Sequence, residues 1–322
     1  MAITTALTKL LGIAHPVILA PMGAVSGGRL AAAVTRAGGL GLLGPGYLGP
    51  EWIEKEFAAA GNVSVGIGFI TWHLSRHPEQ LEAALAHKPP VVMLSFGDPS
   101  AIIPRIRAAG AKCLAQVQSV ADAILAAKAG ADVIVAQGSE AGGHGARRGG
   151  FALLPAVVDA VAPIPVVAAG GIADGRGLAA ALMLGACGVL IGTRFFASEE
   201  ALGTEAMKQR LVDGKGDETL RTTVFDIVRK IDWPRPYDGR ALANDFTREW
   251  HGHEAGLADR LERENARYVA AAEKGDTSTT VVWAGESVDL IDRIEPAEAI
   301  LRRIVDEAEN HLRRGPAFTS SR

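Results

Sequence analysis

Eight short apolar runs recur along the first two thirds of the chain: PVILAPM (16–22), LGLLG (40–44), SVGIGFI (64–70), VVMLSF (91–96), KCLAQV (112–117), DVIVAQG (132–138), PVVAAGG (165–171) and GVLIGT (188–193). From Val17 to Gly188 the seven intervals average about 24 residues, near the smallest strand-plus-crossover unit of a parallel sheet. Unbroken apolar runs are what strands buried on both faces require. The intervening stretches GGRLAAAVTRAGG, AIIPRIRAAGAK, VADAILAAKAGA and GRGLAAALMLGA have helical spacing, and each closes on a glycine able to form a left-handed cap. Eight β-α units predict an α/β fold of the (β/α)8 TIM barrel type, because that count closes the ring; the competing arrangement is an open, doubly wound sheet.

Beyond the eighth run the pattern becomes charged and less regular. Residues 205–287 predict an inserted helical lid or substrate subdomain, which leaves 1–204 and 288–322 to the barrel. PAEAILRRIVDEAENHL (296–312) has apolar residues at helical spacing and reads as the eighth barrel helix, returning after the insertion. The tail RRGPAFTSSR reads as loosely held.

A formal charge of -3, with no dense block of Lys or Arg, provides no electrostatic footprint for nucleic acid or an anionic membrane, so the expected ligand is small. The most apolar long stretch, 178–192, falls short of the roughly 20 residues that cross a bilayer. Only two cysteines occur, Cys113 and Cys187, each inside an apolar stretch; buried thiols in a reducing cytoplasm are the expectation. The N-terminus has no basic region ahead of its apolar part and reads as mature protein.

In a barrel of this kind the site forms at the C-terminal ends of the strands. Strand seven ends in Ala169-Gly170-Gly171-Ile172 and leads into Asp174-Gly175-Arg176-Gly177, a helix start; strand eight ends in Gly192-Thr193. A phosphate needs converging backbone N–H groups on residues without Cβ and gains from a helix N-terminus aimed at it, which this pair of loops predicts. Strand six runs into Ala141-Gly142-Gly143-His144, whose glycines admit a flat or extended ligand. His144 is expected on a loop at this mouth, where an imidazole can take a proton, donate one or hold an anion. His73, after strand three, is a second candidate. His251-Gly252-His253 lies in the insertion without a partner cluster, so no metal site is expected.

AQGSEAGGHG, AAGGIADGRG and LIGTRF, together with LTKLLGIAHPVILAPMG, FDIVRKIDWPRPYDGRALANDF and VWAGES, resemble the nitronate monooxygenase family, formerly called 2-nitropropane dioxygenases, over nearly the whole chain. The resemblance implies an FMN-binding barrel with a helical lid. It implies that Ala20, Pro21, Met22 and Gly23 lie along the isoalloxazine ring with Thr71 nearby, that Ala141 and Gly142 border the flavin, and that Ala169, Gly170, Gly171, Gly192 and Thr193 form its phosphate end. His144 would be the active-site histidine. Some relatives carry a lysine near the flavin at the end of strand five, where this chain has Gln116, a neutral amide that stabilises anionic reduced flavin less.

The activity implied is oxidation of an alkyl nitronate, with electrons passing to O₂ and the nitro carbon ending as an aldehyde or ketone. Trp233, Tyr237 and Trp250 of the insertion are expected to roof the pocket. Two alternatives stand beside this reading: an NAD(P)H-dependent FMN reductase of quinones or enoyl thioesters, and a non-catalytic flavin or phosphate-ligand binder. Chemistry of the inosine-monophosphate-dehydrogenase kind needs a nucleophilic cysteine on a site loop, and neither cysteine is so placed. A homodimer is compatible with the family.

Overall fold

The computed structural model describes residues 3–314, so the tail from residue 315 lies outside the described residues. Among the described residues eleven strands occur in chain order: β1 (Val17–Leu19), β2 (Leu42–Leu43), β3 (Gly66–Ile70), β4 (Val91–Ser95), β5 (Lys112–Val117), β6 (Val133–Gln137), β7 (Gly143–Gly145), β8 (Val166–Ala169), β9 (Gly188–Ile191), β10 (Thr219–Thr222) and β11 (Asp238–Leu242). Eight of them lie side by side in the order β1-β9-β8-β6-β5-β4-β3-β2, every neighbouring pair parallel. The ring closes between β1 and β2 through Leu40: Leu19 N–H donates to the Leu40 carbonyl at 2.9 Å, and Leu40 N–H donates to the Val17 carbonyl at 3.0 Å. This closure makes the fold a TIM barrel and excludes the open sheet.

Each apolar run has two jobs because each strand has two faces. Ile18, Leu42, Met93, Leu114, Val135, Val167 and Leu190 fill the lumen, and Leu7 from the helix Ala6–Leu11 plugs its lower end. Val17, Leu19, Ile67, Val92, Cys113, Ile134 and Val189 face outward against the ring of helices. The four helices expected to close on glycine do so: Gly38, Gly110, Gly130 and Gly185 all have positive φ. The helix Ala297–Arg314 packs on the helix Gly175–Met183 and completes the ring. Its buried side chains Ala297, Ile300, Leu301, Ile304, Val305 and Ala308 form one stripe, and each fully buried Ile or Leu there contributes about 1.5–3 kcal/mol.

The strands are shorter than the runs that announced them. Ala20, Pro21 and Met22 lie past the end of β1, and LGLLG yields only two strand residues. Cys113 is buried, whereas Cys187 is only half-buried. The segment after β9 holds helices and also two strands that the sequence reading did not place. β10 pairs with β11, and β11 pairs with β7, giving a three-stranded antiparallel sheet that joins the insertion to the loop after β6. Val224, Phe225, Phe246, Trp250, Leu257 and Tyr268 give the insertion a hydrophobic core of its own. Among the described residues no helix is long and apolar enough to cross a membrane.

Candidate active site

A cavity of about 340 Å³ opens at the C-terminal ends of the barrel strands, beneath the insertion. Ala20, Pro21, Met22 and Gly23 line it after β1, Gln116 from β5, and Ala141 and Gly142 after β6. Ala169, Gly170 and Gly171 line it at the end of β8, and Gly192 and Thr193 after β9. Thr71 does not reach the cavity; it is buried, and among the described residues its Oγ1 has no hydrogen-bond partner. His73 is also off the cavity wall, packed against the rings of His77, Tyr47 and Trp72.

The ends of β8 and β9 form a cradle of free donors. Gly170 and Gly171 have φ of +95° and +72°, a conformation that favours glycine and turns the chain sharply out of β8. Among the described residues the N–H groups of Gly171, Ile172 and Thr193 meet no protein acceptor, and all three residues line the cavity. A Cβ on Gly192 would meet its nearest atoms, Met22 Sδ at 3.5 Å and Ala20 Cβ at 3.6 Å, at ordinary contact distance, on the cavity wall. The expected helix does begin at Gly175, but its first turn is already occupied. Asp174 accepts from the N–H groups of Arg176 and Gly177, and Glu307 accepts from that of Gly175. The donors available to an anion are therefore those of the loops, and a carboxylate has taken the place at the helix N-terminus.

Beside this cradle, on the neighbouring strand ends, three glutamines tie the barrel to the histidine. Gln137 Oε1 accepts from Gln118 Nε2 at 2.8 Å and from Gln116 Nε2 at 3.3 Å, while Gln137 Nε2 donates to the His144 carbonyl at 3.1 Å. His144 belongs to β7 rather than to a loop, because its backbone pairs with Gly239 of β11. Its Nε2 lies 2.9 Å and 3.0 Å from the two oxygens of Asp226, a buried carboxylate 82 residues further along the chain. The ring stacks on Trp233, with centroids 3.5 Å apart and planes at 8°. Burial holds the His144 pKa below the usual histidine value, Asp226 pulls it up, and Arg229 and Arg221 push it down. His144 is thus a neutral imidazole near pH 7.

Around this ring the sequence reading named Trp233 and missed Asp226, Arg229 and Tyr47. Arg229 lines the cavity and, among the described residues, has no carboxylate partner; its guanidinium lies 5.8 Å over the Tyr47 ring. Trp233 Nε1 donates to Tyr47 Oη at 2.6 Å, and burial raises the Tyr47 pKa, keeping the phenol neutral. Of the three aromatics expected to roof the pocket, Trp233 lines it, Tyr237 faces a neighbouring cleft, and Trp250 belongs to the core of the insertion. The missed signal was the pair Asp226 and Arg229 in VFDIVRK, an acid and a base three residues apart at the end of a short helix, a few residues before Trp233.

The model of the family described as nitronate monooxygenase matches residues 4–69 and 64–307. A nitronate monooxygenase, npaC, of Metarhizium robertsii is 37% identical, with 91% of this chain and 90% of that protein aligned. A nitronate monooxygenase of Neurospora crassa is 34% identical over 95% and 92% of the two chains. Among solved structures, FabK from Thermotoga maritima superposes with a TM-score of 0.88 at 31% identity over 98% and 99% of the two chains. Nitroalkane oxidase from Streptomyces ansochromogenes does so with a TM-score of 0.80 at 31% identity over 98% and 100%. Since the match runs through the barrel strands, the histidine strand and the insertion alike, the chain belongs to the nitronate monooxygenase family.

Proposed function

We propose that this chain binds FMN in the cavity and oxidises alkyl nitronates, passing the electrons to O₂ and releasing an aldehyde or ketone. The observation that carries the reading is one cavity lined both by donor-rich glycine loops and by a buried histidine whose pKa burial holds below the usual value. The residues present suit the cofactor. The unpaired N–H groups of Gly171, Ile172 and Thr193 supply what a phosphate requires, and the volume falls within the range of small-molecule sites. Ala20 to Gly23, Gln116, Ala141, Gly142 and Gly170 would form the walls along a flat ring. Bound there, FMN supplies electron transfer that no side chain of the cavity can perform.

The chain's own residues do the rest. Arg229 offers an unpaired cation to the negative oxygens of a nitronate, a role that the neutral Gln116 cannot fill. His144, being neutral, accepts the α-proton of an uncharged nitroalkane: the C–H bond breaks, its electron pair moves onto the nitro group, and a nitronate is left. Trp233 covers one face of the histidine, and Tyr47 holds that indole by accepting its N–H. The alkyl nitronate and O₂ are the expected partners, in a soluble cytoplasmic setting.

The test is the visible spectrum of the purified protein, mixed anaerobically with an alkyl nitronate and, separately, with NADH and NADPH. Flavin reduction by nitronate with the nicotinamides inert is the expected result. Bleaching by a nicotinamide alone would overturn it and move the protein to the reductases. Failure to take up FMN would remove the flavin reading altogether.

A further inference from the structure

Among the described residues, the hydrogen-bond partner and the aromatic neighbours of the His144 ring come from the insertion. Asp226 lies in the helix Val224–Val228, its oxygens 2.9 Å and 3.0 Å from Nε2, and the two side chains are only 4% and 9% exposed. Trp233 covers one face of the ring, and Trp283 packs at 5.1 Å. Nδ1, by contrast, has no partner among the described residues and is not sealed off by protein, since the ring lines the cavity. An ionised carboxylate can only accept hydrogen bonds, so the proton of a neutral imidazole beside it must be carried on Nε2.

We infer that Asp226 is a positioning residue that fixes His144 as the Nε2–H tautomer, so that the cavity meets the lone pair of Nδ1 and not an N–H donor. The role of a carboxylate behind a ligating or reacting histidine is general: it selects the tautomer and orients the ring. Here it divides labour between neighbours on one turn of chain. Asp226 makes His144 a proton acceptor, and Arg229, three residues on, is left to attract the anion. The charged groups that act on the ring are Asp226, Arg229 and Arg221; the last two oppose protonation, and only Asp226 favours it. The inference rests on His144 being the proton-handling group of the proposed reaction, but its geometry does not depend on the cofactor.

The test is a long-range ¹H–¹⁵N correlation spectrum of the full-length protein, with the His144 signals identified by their loss in His144→Gln. A proton on Nε2 and a bare Nδ1 are expected, and a proton on Nδ1 would overturn the inference. Asp226→Asn should shift the population towards Nδ1–H, since an amide can present its NH₂ to Nε2, and should move the titration of His144 to lower pH. It should also reduce the ratio of kcat/KM for a neutral nitroalkane to that for its nitronate at least tenfold, given that a general base contributes about 10²–10⁴ in rate. Asp226→Glu should restore both tautomer and ratio. An unchanged tautomer and an unchanged ratio in Asp226→Asn would refute the positioning role. If that variant fails to fold, the wild-type spectrum alone decides. A protein that takes up no FMN would sink the flavin reading and leave the tautomer result standing, so the two failures are distinct.

Discussion

Tyr47→Phe isolates one hydrogen bond between barrel and insertion. Tyr47 lies on the loop after β2, and its hydroxyl accepts from the buried Trp233 indole at 2.6 Å. Phenylalanine keeps the ring, and with it the edge contact to His73 at 5.3 Å and the Arg229 guanidinium at 5.8 Å. Only the acceptor is lost. A buried donor left without a partner costs about 1–3 kcal/mol, or about 5- to 150-fold in the equilibrium between the held and released states of the segment that carries Trp233. Hydrogen exchange read by mass spectrometry over residues 219–242 should accelerate by a factor in that range, while peptides from β4 and β5 keep their wild-type rates. Because Trp233 stacks on His144, turnover of a neutral nitroalkane should fall in parallel. Exchange within twofold of wild type over 219–242 would refute the reasoning, for it would mean that the indole N–H is satisfied elsewhere at no cost.

Arg229→Gln removes the cavity's unpaired cation and should raise KM for a nitronate by about 10- to 150-fold, the worth of a charge-assisted hydrogen bond, with a smaller effect on an uncharged nitroalkane; steady-state kinetics on the two substrates checks this. Gly192→Val places its Cβ in ordinary contact with Met22 and Ala20 on the cavity wall, so FMN uptake should be lost with Tm shifted by no more than about 4 °C. Burial lowers the His144 pKa from 6.5, so the basic form persists at that pH. The acid limb of kcat/KM on a neutral nitroalkane should therefore lie below pH 6.5, and a limb above it would contradict the burial argument. The same sign governs folding: from pH 6.5 downwards to the depressed value the unfolded chain binds the extra proton, so this histidine's contribution to stability is lost as pH falls through that window.

The barrel was legible because its signal is local and repeated. Val133 to Gln137 or Val166 to Ala169 can hardly be anything but buried strands, and the glycines at 130 and 185 mark helix ends by a rule that needs no partner. The glycine loops after β8 and β9 were legible for the same reason. What the sequence concealed depends on contacts between distant segments. Asp226 matters only because it meets a ring 82 residues away, and β7 is a strand only because β11 runs beside it. GHG carries no β propensity of its own. Thr71 failed for the opposite reason: following β3, it occupies a position that faces the mouth in outline, yet its side chain is turned into the packing near Gly97.

The pairing of β7 with β11 has a mechanical meaning. The strand that carries His144 pairs with the insertion through its main chain, and the His144 side chain bonds to the insertion as well. A displacement of that sheet away from the barrel mouth carries the histidine with it, off the chamber whose glycine loops stay behind on β8 and β9. The place of the imidazole in the chamber is therefore set by the insertion as much as by the barrel strand that precedes it.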